Sequence, residues 1–72
     1  MAIGDYITVE QQKAIIKSQL AGWAQDHYAN TLNLKIGETT GNADQVASAQ
    51  ANIDEIVKSS AVVEAELAKL GK

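Results

Sequence analysis

The spacing of apolar residues fixes most of what this chain can become. In its second half Val46, Ala49, Ile53, Ile56, Ser60, Val63, Leu67 and Leu70 follow one another at alternating steps of three and four. On a helix of 3.6 residues per turn such a row stays on one face, the seam of a coiled coil. The first half holds a matching row of Val9, Lys13, Ile16, Leu20, Trp23, His27, Asn30 and Leu34. Between the rows lies LKIGETTGNADQ, residues 34–45, the stretch where turn-forming residues gather in a sequence without proline. Folding the chain back there sets Ile16 opposite Val63, Trp23 opposite Ile56 and Asn30 opposite Ala49, with Val9 approaching Leu70. Bulky pairs then fill the open half, and smaller residues face His27 and Asn30 near the turn. The expected fold is all-α, an antiparallel two-helix hairpin of coiled-coil type.

End signals give the helices their bounds, about 9–35 and 43–70. Thr8 with Gln11 three residues on makes a capping box, and Glu10 adds negative charge where the helix dipole favours it. Lys35 is expected in the last turn, with Gly37 in the left-handed conformation that ends many helices. Asn42, Gln45 and Asp44 repeat the opening pattern, and Lys69 with Gly71 repeats the close. Asp54 and Lys58 stand four apart in the favourable orientation for an ion pair. Residues 1–7 form a short arm, 8–72 a single hairpin domain, and 37–42 the turn.

The small size of the chain limits how it can be stabilised. Its 72 residues include no cysteine, so disulfides and thiolate metal sites are excluded. One histidine cannot build a zinc site unless several carboxylates converge on it. Chains this short usually need a staple, and by elimination the staple is another protein chain. The net charge of −3 comes from six basic and nine acidic residues spread along the sequence. All the basic residues are lysines, with no cluster among them, which argues against nucleic acid as a partner. No apolar run approaches the roughly 18 residues that span a membrane. The opening MAIGDYI lacks the charged and apolar regions of a signal peptide, so cytoplasmic synthesis is expected.

Several large apolar residues fall beside the two rows rather than on them: Ile15, Tyr28, Leu32, Ile36, Val57 and Val62. Ile15 and Val62 are expected together on one flank of the open end. Tyr28, Leu32 and Ile36 recur at four-residue steps toward the turn. An apolar stripe wider than a two-stranded seam is the pattern of a helix with more than one neighbour. Ile3, Tyr6 and Ile7 in the arm are apolar enough to lie on a surface as well. The alternative is a bend, at Gly22, that wraps these residues around a monomeric core.

Candidate chemistry is sparse. Asp26 beside His27 suggests an acid–base pair, but adjacent helical residues point about 100° apart. His27, on the expected seam with Asn30 one turn away, reads instead as part of a polar layer that fixes register. GETTGN lacks the Lys-Ser/Thr end and preceding strand of a phosphate loop, and Glu38 with Asp44 does not make a calcium loop. No catalytic residue, cofactor or metal site is expected.

Known hairpin families provide further comparison. Type III secretion needle subunits have a proline-rich turn, WXG hairpins place Trp-x-Gly in the turn, and plasmid-encoded RNA-binding hairpin dimers carry a basic face. This chain has none of the three. Its opening MAIGDYIT resembles the start of structural proteins of tailed phages, particularly phages of cyanobacteria. The remainder, ending VVEAELAKLGK, is similar in style to small uncharacterised phage proteins of helical-hairpin form. The resemblance implies a virion or assembly component and transfers no functional residue. The function expected is therefore non-enzymatic: a structural or accessory protein that binds itself, as a homo-oligomer, or a larger subunit. A regulatory or inhibitory hairpin docking in a groove of a host or viral partner is the alternative.

Overall fold

The computed structural model describes residues 6–71, and within them the chain is two helices packed as a hairpin. Helix α1 runs Val9–Thr40 and α2 runs Ala43–Leu70. The expected arm residue Ile3 lies outside the described residues. Thr8 caps α1 with the full box: its Oγ1 accepts from the Gln11 backbone N–H at 3.1 Å, and Gln11 Oε1 accepts from the Thr8 N–H at 2.8 Å. Asn42 caps α2 by accepting from the Gln45 N–H at 3.1 Å. No return bond from Gln45 is needed, because the Asn42 N–H already donates to the Gly37 carbonyl at 2.8 Å.

The end of α1 departs from the sequence expectation. The helix does not stop near Lys35; it continues to Thr40, and the turn contracts to Gly41 and Asn42. Gly41, not Gly37, takes the left-handed conformation, with φ 73°. The bond from Asn42 to the Gly37 carbonyl then closes the helix in the six-to-one manner of a Schellman motif. Lys35 consequently lies before the last turn, which holds no basic residue. Gly37 has a different role. It is buried, and a Cβ there would stand 2.9 Å from Val46 Cγ2, 3.1 Å from the Val46 N and 3.2 Å from the Asn42 carbonyl oxygen. Missing bulk at Gly37, rather than backbone freedom, lets the two helices meet just before the turn.

Along the seam, every residue of the α2 row is at least partly buried, with Ala49 only 3% exposed. Most of the α1 row is half-buried too, but Val9 and His27 are exposed. Val9 sits where the seam opens, and Leu70 shares a trough there with Ile7 and Gln12 instead. His27 does not join a buried polar layer; no hydrogen bond ties its ring among the described residues, and a polar tip left in water keeps its hydration. The inter-helix polar contact comes from Asn30 and Asn52. Asn30 Nδ2 donates to the Asp26 carbonyl at 2.9 Å, and Asn52 Nδ2 donates to Asn30 Oδ1 at 3.0 Å. A carbonyl can only accept, so the first bond orients the Asn30 amide and the second follows. Asp54 pairs with Gln50 at 3.1 Å rather than with Lys58. Ion pairs among the described residues, Lys13–Glu10 at 3.8 Å and Lys69–Glu66 at 3.2 Å, have their carboxylates exposed to water and contribute little.

The two helical glycines should respond in opposite directions to alanine. Gly37→Ala overpacks the approach to Val46 and is expected to destabilise by about 1–3 kcal/mol. A Cβ at Gly22 meets nothing within 4 Å, so Gly22→Ala should stabilise the isolated hairpin by roughly 0.5–1 kcal/mol. Thermal unfolding followed by circular dichroism in dilute solution checks both.

Candidate protein-interaction surface

A single seam between two helices leaves most of each helix surface in water. Among the described residues no large side chain is fully buried, and the residues that the spacing placed off the seam are exposed: Ile15, Tyr28, Leu32, Ile36, Val57 and Val62, as are Tyr6 and Ile7 of the arm. Val9 joins them. Helix α1 is one continuous helix through Gly22, so no fold there turns Ile15 or Leu32 inward, and the monomeric wrap does not occur.

These side chains are unequally distributed. Leu32 stands two residues, roughly 200°, from both Asn30 and Leu34, so it lies on the outer face of α1 with Tyr28 and Ile36 to either side of it. Between Lys17 and Lys35, Asp26 is the only acidic or basic residue, histidine aside. Helix α2 is the reverse: its outer surface carries Asp54, Glu55, Lys58 and Lys69 with Val62 standing singly among them, while Val57 and Glu64 edge the seam. One helix is sided toward water and the other is not.

Two troughs flank the seam. Trp23, Ile56, Val57 and Ser60 line one together with His27, which puts the half-buried indole within reach of a partner. Ile15, Ile16, Val63 and Leu70 line the other at the open end, with Ile7 of the arm laid against it. Ile15 thus enters a trough, whereas Val62, on the flank expected to accompany it, stands outside at 66% exposure. Tyr6 is further out still, at 71%. Sequence reasoning missed Asn52, which lies beside the α2 row; its signal was an amide one position from the seam and near Asn30 across the fold.

Among the described residues no three His, Asp or Glu side chains gather where a cation could be held, and no helix is long and apolar enough to cross a membrane. No protein-family model matches the sequence, and neither a curated protein nor a solved structure matches it.

Because Ile15 and Val62 are 53% and 66% exposed, replacing both with glutamate should alter the hairpin's own stability by only about 0.5 kcal/mol per site. Helical content in dilute solution should be retained while association is lost. Circular dichroism and sedimentation of the double variant check the two halves separately.

Proposed function

We propose that this chain is a non-enzymatic structural or accessory component that acts by protein–protein contact. The observation that carries the reading is a pairing of opposites: no large side chain fully buried, and nine large apolar side chains exposed, among the described residues. At about 25 cal/mol per Å², covering a few hundred Å² of that surface contributes several kcal/mol, comparable with the whole stability of a small domain. The outer side of α1, the trough containing Ile15 and the arm with Ile3, Tyr6 and Ile7 are the surfaces assigned to this contact. A virion or its assembly is the setting we propose, as the resemblance of the opening MAIGDYIT implies.

Stability should then depend on concentration or on a partner. A binder present at about 100 times its Kd adds roughly 2.7 kcal/mol to the apparent stability of the chain. For the purified chain, the thermal midpoint is expected to rise with concentration across the micromolar range, in step with a rising mass by sedimentation. A poorly helical monomer would place the missing layer on a different subunit and leave the reading intact. A cooperatively folding monomer with a concentration-independent midpoint would overturn it. A regulatory binder would differ from a structural component in forming a stoichiometric complex with one partner.

A further inference from the structure

Helix α1 carries a second row of residues off the seam, at seven-residue spacing: Ile15, which also edges the open-end trough, then Gly22, Ala29 and Ile36. All four are exposed. In size the row reads large, small, small, large, and is the same from either end. Gly22 has no intrachain reason to be glycine, since a Cβ there meets nothing within 4 Å, although glycine inside a helix is unfavourable. Small residues in mid-helix allow a second backbone to come close, and large ones at the ends interlock beyond it.

We infer that the outer row of α1 pairs antiparallel with the same row of a second copy, about a two-fold axis passing near residues 25 and 26. This rests on the protein–protein reading above and names its partner. The register sets Ile15 against Ile36 of the second copy and Gly22 against its Ala29. A two-fold contact must be self-complementary in this way. An antiparallel arrangement opposes the dipoles of the two long helices. It also drops Leu32 against Ser18 of the other copy, large against small, where a parallel pair would set Leu32 against Leu32.

The areas agree with that assignment. The accessible surface is 5321 Å², whereas a compact chain of 7.6 kDa exposes roughly 4,300 Å². The excess, about 1,000 Å², compares with the approximately 800 Å² that each partner covers in an ordinary stable interface. The hairpin is also a single layer, with principal extents of 55 × 21 × 14 Å, and a second copy supplies more helices than one layer holds. The one mismatch is Asp26, which meets its own copy across the axis.

The absence of native cysteine makes disulfide trapping clean. Single-cysteine chains Gly22→Cys and Ala29→Cys, mixed and mildly oxidised, are expected to give the mixed disulfide in preference to either homodimer, while Lys58→Cys on the outer side of α2 gives none. Gly22→Leu should weaken dimerisation by about tenfold or more by sedimentation, without loss of helicity in the monomer. Asp26→Asn should tighten it. Homodisulfides at Gly22→Cys, trapping through Lys58→Cys, or a Gly22→Leu dimer as tight as the parent would overturn this pairing and leave the protein–protein reading standing. A poorly helical monomer throughout the micromolar range would do the same. A stable, cooperative monomer would overturn both.

Discussion

Two helices cannot enclose a large side chain. Each seam residue touches one facing helix and leaves its flanks open, which is why Ala49, the smallest of the apolar residues on its row, is also the one most removed from water. The larger residues of the same row, Ile53, Ile56 and Val63, sit in equivalent positions and remain half-exposed. Caps, exposed ion pairs and the Asn30–Asn52 bond set register and define ends, but none of them shields apolar surface. The hairpin is therefore well specified in direction and only partly supplied with a core.

That division explains what could be read from the sequence. Helix starts were legible because capping is local: Thr8 and Gln11, or Asn42 and Gln45, fulfil their roles within one turn whatever lies across from them. The seam was legible because alternating steps of three and four have one geometric meaning on a helix. The end of α1 was not. Gly37 and Gly41 are both suited to a left-handed cap, and the choice between them is made by Val46 on the other helix. Only at Gly37 must a side chain be missing for the backbones to meet, so Gly37 is spent on packing and Gly41 on the turn. Local chemistry proposed two stops, and tertiary contact selected the later one.

The polar residues of the seam show a similar limit. His27 and Asn30 occupy successive positions of the same row, and spacing treats them alike. Physics separates them by partner: the Asn30 amide can satisfy a carbonyl on its own helix and an amide on the other, whereas the imidazole finds nothing across the seam and remains in water. Asn52, which completes the pair, lies one position off the row and is invisible to a pattern search. Exposure of Ile15, Tyr28, Leu32, Ile36, Val57 and Val62 followed directly from their offsets, because a residue that points away from the only neighbour has nowhere else to be.

The asymmetry between the helices carries the functional argument furthest. Helix α2 has a conventional division of labour, apolar toward α1 and charged elsewhere, so water is its second neighbour. Helix α1 keeps apolar residues on its outer side and has Asp26 as the only acidic or basic residue, histidine aside, across the whole stretch between Lys17 and Lys35. The exposed Ile15, Tyr28, Leu32 and Ile36 gain by being covered, and Gly22 adds a gap that no intrachain packing uses. Folding and association then use opposite faces of α1 and are coupled because both need that helix to be formed. Any change that covers the outer side of α1 stabilises the hairpin, and any change that loosens the hairpin disperses the row that a partner would read. Stability and partner binding in this chain are in that sense one equilibrium seen from two directions, a consequence of a core with room for more helices than the chain provides.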